Sequence, residues 1–423
     1  MIIQFSVGNY RSFYDKRTIS FLAKGISEHS EIVFKQEKHK VLPSLVIYGA
    51  NSSGKSNVIR AFGQMRNNVL NSVKLNSNDE LQHEPFLLYN RSEDEPTFFE
   101  IVFLSKDERR FRYGFEHNSN NIINEWLFIG KTSKDEKPYF IRTEEGIGVS
   151  DIFEEGKDKV KATNDNRLFI SLVAQLGGET SQQILDFFDD YNILSGIEHN
   201  DYESFTKRML AKNLNGAQET KDFFQILNLG FKGINAIEKE FDIDELPEQL
   251  PKSMKNKLIK ELTGKFTIDL KTIHNKFDKK GNVLGEVIMD KDSQESEGTN
   301  KIIDLSGPIF DTLLNGKTLI IDELDAKLHP LITMKIVELF NNPQYNINKA
   351  QLLFATHDTN LLGEEIFRRD QIWFTEKDEC EQTDLYSLYD ITLPDGSKVR
   401  NDANLERNYI KGRYGAIPYF SKI

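Results

Sequence analysis

The stretch from Gly49 to Asn57, Gly-Ala-Asn-Ser-Ser-Gly-Lys-Ser-Asn, constrains this chain more than any other segment. It fits the pattern G-x-x-x-x-G-K-[ST], which works only with a strand before it and a helix after it. Both are predicted: Leu45-Val46-Ile47-Tyr48 reads as a strand, and a helical pattern runs from Lys55 towards Val73. In that setting the backbone N–H groups of Gly49, Ala50, Asn51, Ser52, Ser53 and Gly54 can wrap a phosphate at a helix N-terminus, where the helix dipole favours an anion. Gly49 and Gly54 permit backbone conformations and close approaches that a side chain would block. Lys55 reaches β- and γ-phosphates, the Ser56 hydroxyl can ligate Mg²⁺, and Asn57 closes the motif. The expected ligand is a nucleoside triphosphate, ATP or GTP, with Mg²⁺.

A chain of 423 residues is expected to form roughly two or three domains. No run of about 18 apolar residues is present, so no membrane span is expected. The start, Met1-Ile2-Ile3-Gln4-Phe5-Ser6, reads as a first strand and not as a signal peptide. Cys380 is the only cysteine, which excludes an internal disulfide and suits a reducing cytoplasm. A net charge of −12 argues against a protein that coats polyanions, although local basic patches leave contact with DNA or RNA open.

Three regions are expected. Residues 1–150 are strand-rich around one helix, with alternating segments at Phe98–Leu104, Arg110–Phe115 and Ile122–Ile129 that predict an antiparallel sheet beside a nucleotide-binding core. Residues 151–265 carry helical spacing at Leu168–Leu176, Ser181–Tyr191, Tyr202–Leu214 and Ala217–Leu229, and read as a helical insertion without sustained heptads. Residues 266–423 open on a hairpin, Thr267–His274 and Val283–Met289, that returns to the core. They then alternate a helix at about Lys301–Leu314, a strand at Leu319–Ile321, a helix at Pro330–Phe340, and strands at Gln351–Ala355 and Gln371–Thr375. This alternation predicts a mainly parallel sheet flanked by helices.

A phosphate loop needs a carboxylate for the metal and a group that activates water. Leu319-Ile320-Ile321-Asp322-Glu323 offers both at a strand end: Asp322 for the Mg²⁺ shell and Glu323 to orient or deprotonate the attacking water. His357, in Phe354-Ala355-Thr356-His357-Asp358, falls at the carboxyl end of a neighbouring strand, where ligands bind in open α/β sheets.

Together the phosphate loop, Asp322-Glu323-Leu324-Asp325 and Thr356-His357 resemble the heads of the ABC/SMC/RecF class of ATPases. The resemblance implies an α/β P-loop NTPase of ABC-ATPase type, with a mixed sheet, an antiparallel β-subdomain and a helical insertion. It implies that Asp325 is the D-loop aspartate and His357 the switch histidine. It also implies that Ser296 and Gly298, in Ser296-Glu297-Gly298-Thr299-Asn300, are signature residues presented to ATP on a partner head, although the segment departs from the Leu-Ser-Gly-Gly-Gln form and also reads as a polar helix cap. More narrowly, the chain resembles the bacterial AAA-type proteins of the RloA and AbiLi abortive-infection group. That likeness rests on Asn9-Tyr10-Arg11-Ser12-Phe13, on Asp322 to Pro330, on Ala355 to Leu362, on Arg368-Arg369-Asp370-Gln371-Ile372-Trp373-Phe374, and on Gly412-Arg413-Tyr414-Gly415-Ala416-Ile417-Pro418. It implies a phage-defence ATPase that forms a homodimer or larger homo-oligomer and works with a separate effector protein of nuclease or Toprim-like type. Fewer than about 50 residues follow the last expected strand, short of an ordinary domain, so any cleavage falls to the partner.

The rival readings are a RecF-like or coiled-coil-type DNA-repair head, distinguished by DNA-stimulated hydrolysis, and an ATP-gated scaffold with slow turnover. A transporter ATPase fits the signature segment less well. Arg368 and Arg369, and the basic-aromatic tail Tyr409 to Gly415, suit either a nucleic-acid surface or simple packing.

Overall fold

The computed structural model describes residues 1–418 except 37, 199, 241–249, 263–265, 364–365 and 394. It divides into two compact units: Met1–Ile197 with Asn315–Ala326 and Thr333–Ile423, and Glu198–Leu314 with Lys327–Ile332. The sequence reading put its boundaries elsewhere, after 150 and after 265, the second of which lies outside the described residues.

The first unit holds two large sheets with the phosphate-loop helix between them, and a two-stranded ribbon of Phe34–Lys35 with Lys40–Val41. One is six-stranded, in the order Tyr191–Ser195, Thr318–Asp322, Gln351–Ala355, Ser44–Gly49, Ile372–Lys377, Thr383–Ser387. The first five strands are parallel and the last is antiparallel. Its central strands are continuously apolar (Leu45 to Tyr48, Leu319 to Ile321, Leu352 to Ala355) and buried, as a parallel sheet covered on both faces requires. The other sheet is seven-stranded and antiparallel, running from Gly146–Val149 through Lys137–Thr143, Ile122–Gly130, Arg110–His117, Thr97–Leu104 and Ile2–Gly8 to Arg17–Ser20. The sequence-level expectation of an α/β P-loop fold with a mixed sheet and an antiparallel sheet is met.

The helix Lys55–Asn71 buries Val58, Ile59, Phe62, Met65 and Val69, spaced so that one face meets both sheets. Phe62 shows how. Its ring stacks 3.8 Å from Phe5 of the antiparallel sheet, and its other side meets the edge of Tyr191 in the parallel sheet. Gln351 fastens the sheets directly, accepting from the Ile2 N–H at 2.6 Å and donating to the Ile2 carbonyl at 3.0 Å.

The second unit packs the helices Asn200–Ala211, Ala217–Leu227 and Glu297–Asn315 with a three-stranded antiparallel sheet, Gly233–Glu240, Phe266–Phe277 and Val283–Asp290, and also holds the helix Lys252–Leu262. Met209, Phe224, Phe231, Leu270 and Ile303 form its core.

Three expectations need correction. The predicted hairpin forms, but in the second unit's own sheet beside Gly233–Glu240 and not in the nucleotide-binding core. The pattern expected to continue a helix to Tyr191 breaks at Asp189, and Tyr191–Ser195 is the edge strand of the parallel sheet. Five residues are too few for periodicity to separate strand from helix, so pairing with Thr318–Asp322 decides it. The helix expected from Lys301 begins at Glu297, which draws Gly298 into its first turn. The strand Thr383–Ser387 went unassigned because Thr-Asp-Leu-Tyr-Ser has few apolar positions.

Because Phe62 is fully buried between two sheets, Phe62→Ala should cost about 3–5 kcal/mol of stability, read as a lower denaturant midpoint of the first unit.

Candidate nucleotide-binding site

The phosphate loop leaves the strand Ser44–Gly49 and enters the helix Lys55–Asn71 through Gly54, whose φ of 110° strains any other residue. A Cβ on Gly54 would lie 2.7 Å from Thr383 Cγ2, and one on Gly49 would lie 2.5 Å from the Thr375 carbonyl. Both glycines are therefore required by neighbouring strands as well as by the loop. Asn51 and Ser52 are exposed at its crest, with Ser52 at φ 64°. Ser56 is half-buried in the first helical turn.

A set of hydroxyl groups anchors the loop. Ser53 Oγ and Thr375 Oγ1 lie 2.6 Å apart, and Thr383 Oγ1 donates to the Ser53 carbonyl at 2.9 Å. Ser12 Oγ lies 2.8 Å from Thr383 Oγ1, and Asn57 Nδ2 donates to the same serine oxygen at 2.8 Å. Asn57, expected at the nucleotide, has a side-chain amide that ties the helix to the Asn9–Phe13 turn. Thr375 and Thr383 escaped the sequence reading because nothing marks a threonine at a strand end until the neighbouring strand is known.

The Lys55 ammonium is buried and donates to the carbonyls of Gly49 at 2.9 Å and Ala50 at 3.1 Å. Burial pulls its pKa down to about 8, against the opposing pull of Asp322, Glu323 and Asp325. Those three acids lie at and just beyond the carboxyl end of Thr318–Asp322, the second strand over from the loop strand. His357 follows the intervening strand Gln351–Ala355 and donates its backbone N–H to Asp325 Oδ2 at 3.4 Å. Desolvation, followed by the Lys55 charge, holds the His357 imidazole below its ordinary pKa, with Asp325, Glu323 and Asp322 opposing. Lys55, Asp322, Glu323, Asp325 and His357 thus form one electrostatic cluster in the first unit.

Two details shape the acidic end. Glu323 has φ 55°, a left-handed conformation rare for a side chain of its size. Gly196 lies against that peptide: its N–H donates to the Asp322 carbonyl at 2.6 Å, and a Cβ there would sit 2.6 Å from the Glu323 carbonyl carbon. Reading Tyr191–Ser195 as a strand would have flagged Gly196. Asp322 Oδ1 and Asp325 Oδ1 are buried with no hydrogen-bond partner. An orphaned carboxylate oxygen at a strand end, in a site that also holds the Ser56 hydroxyl, fits Mg²⁺.

Ser296 and Gly298 lie in the second unit. Ser296 Oγ accepts the Thr299 N–H at 3.1 Å, so this serine caps the helix Glu297–Asn315. A Cβ on Gly298 would lie 2.7 Å from the Lys327 carbonyl.

Arg368 is fully buried, paired with Asp370 at 2.9 Å and donating to the Glu28 carbonyl at 2.6 Å. Arg369 pairs with Glu28 at 2.9 Å. Both hold the fold together. In the tail, Tyr409 and Tyr414 pack against Phe374, and Ala416 to Pro418 border a cleft of about 440 Å³ beside Ala50–Ser53.

The family profile described as "AAA domain, putative AbiEii toxin, Type IV TA system" matches residues 44–363, which is 320 of the 423 residues. The chain belongs to this AAA-domain family. No curated protein matches it. Among solved structures it is similar to the SMC head domain from Thermotoga maritima, at 11% identity and TM-score 0.42, covering 91% of this chain and 98% of that one. It is also similar to an SMC head bound to the C-winged helix domain of ScpA, at 12% identity and TM-score 0.41, with 91% and 97% covered. A third is the recombination mediator RecF with ATP, at 14% identity and TM-score 0.32, with 84% and 93% covered. The fold assignment rests on the chain's own sheet order and loop.

Two measurements follow from this geometry. Thr383→Val removes the hydroxyl that anchors Ser53 and should weaken ATP binding about tenfold in calorimetry. Lys55 is charged below about 8, so ATP affinity should be highest below that pH and fall as pH rises through it. Bound phosphates favour the ammonium, so binding near pH 8 should take up protons, which calorimetry in buffers of different ionisation enthalpy detects.

Proposed function

We propose that this chain is an ABC/SMC-like ATP hydrolase that dimerises around ATP and acts as the sensor or regulator of an anti-phage abortive-infection system with a separate effector. The observation that carries the reading is the convergence of Lys55, Asp322, Glu323, Asp325 and His357 at the carboxyl ends of three adjacent parallel strands. Lys55 and the loop amides of Gly49 to Gly54 hold the phosphates. Ser56 and Asp322 would hold Mg²⁺, which would neutralise phosphate charge when bound.

Glu323 orients the attacking water and takes its proton, while His357 donates to the γ-phosphate oxygens. The left-handed φ of Glu323 supports this role, since strain held by surrounding structure is common where a side chain must be aimed. Ser296 and Gly298 of a second copy complete the site in trans, and Asp325 couples the two heads. Ser296 is suited to that task because its hydroxyl marks an exposed helix N-terminus, a place that favours anions.

Membership in a family described by AbiEii and a type IV toxin–antitoxin system supports the abortive-infection setting. The motifs shared with the RloA and AbiLi group narrow the reading to an ATPase that controls another protein. In this scheme ATP binding sets the form of the dimer, the second unit carries that state to the effector, and hydrolysis resets it.

Replacing Glu323 with Gln keeps the hydrogen-bonding shape and removes the base. Turnover should fall by about 100-fold or more while ATP still binds, and solution mass should rise from monomer to a stable ATP-dependent assembly. A variant that hydrolyses ATP like the wild type, with a mass indifferent to nucleotide, would overturn both the base assignment and the head dimer.

A further inference from the structure

We infer that Glu295 is the positioning residue for Ser296, and that Thr272 and His274 of the three-stranded sheet hold it in place. The inference rests on the reading that Ser296 completes the ATP site of a second copy, and it names what in this chain aims that serine.

Ser296 is exposed and lies at a joint. The short helix Lys291–Gln294 ends at Glu295, which is extended at φ −91° and ψ 160°. The helix Glu297–Asn315 begins two residues on, with Ser296 as its cap. Where this helix N-terminus sits is therefore decided by what fastens the residues on either side of the serine.

On one side the fastening is buried. Thr272 Oγ1 donates to Glu295 Oε1 at 2.6 Å, and His274 Nε2 lies 2.8 Å from the same oxygen. A carboxylate offers only acceptors, so the hydrogen of the imidazole is on Nε2. Both donors come from Phe266–Phe277, the middle strand of the sheet, and residues two apart share one face. Thr272 is fully buried and the Glu295 side chain is 9% exposed. The His274 ring meets Phe231, part of the second unit's core, edge to face at 6.2 Å. Just before the joint, buried Lys291 pairs with Asp304 at 2.7 Å and joins the short helix to the next.

On the other side the fastening is weak. Glu297 pairs with Lys327 at 3.1 Å, but its side chain is 79% exposed. Water and salt screen such a pair, and it contributes little. A carboxylate withdrawn from water and met by two donors is held far more firmly. Glu295, and not Glu297, therefore sets where Ser296 stands against the sheet.

The test mixes copies of the full chain. Glu295→Ala keeps its phosphate loop and should bind ATP as tightly as wild type. Its turnover should fall about 10- to 100-fold, the loss that a group misplaced by about an ångström produces. Lys55→Ala has a sound Ser296 and no grip on phosphate. Mixing the two should restore turnover, because the loop of one copy then meets the Ser296 of the other. Glu295→Gln keeps an acceptor for both donors, and His274→Gln returns an N–H to the same place. Each should therefore turn over within about threefold of wild type, whereas His274→Ala should behave like Glu295→Ala. Ser296→Ala mixed with Lys55→Ala is the reference. If that pair regains turnover and the Glu295→Ala pair does not, Glu295 serves stability alone and the inference fails. It fails equally if Glu295→Ala by itself turns over like wild type. If Ser296→Ala is fully active, or its mixture stays silent, the shared-site reading fails and takes this inference with it.

Discussion

Lys55 carries a charge in a place where burial opposes it, and much of the first unit can be read as the means of keeping it there. Desolvation alone would push the ammonium towards neutrality. The loop carbonyls of Gly49 and Ala50 accept hydrogen bonds from it, and three acids at a nearby strand end oppose burial, leaving its pKa at about 8. Those acids can act only because the strands Thr318–Asp322, Gln351–Ala355 and Ser44–Gly49 are adjacent and parallel, so that their carboxyl ends open on the same side. The apolar content of these strands is thus electrostatic in consequence: it sets the sheet order, and the sheet order sets which charges meet.

The same logic explains why neutral residues matter around the loop. Thr375 and Thr383 lie on the two strands beyond the loop strand, and their hydroxyls fix Ser53. Ser12 joins the first turn of the chain to both Thr383 and Asn57. Gly196 lets the edge strand approach the Asp322–Glu323 peptide, where any side chain would collide with backbone. Each acts by placing the loop or the acids and not through charge of its own.

Legibility in the sequence followed this division. The phosphate loop, the Asp322-Glu323 strand end and His357 were readable because each couples a long apolar strand to residue types with a specific job. Thr383, Thr375 and Gly196 were not, since a threonine or glycine carries no signal until the strands beside it are known. Tyr191–Ser195 was lost for the same reason, being a short edge strand whose pattern ran on from a helix. The hairpin at 266–290 was legible as a hairpin, because Asp278-Lys279-Lys280-Gly281-Asn282 is strong turn chemistry. Where it belonged was not, because alternation specifies a paired strand and says nothing of which sheet receives it.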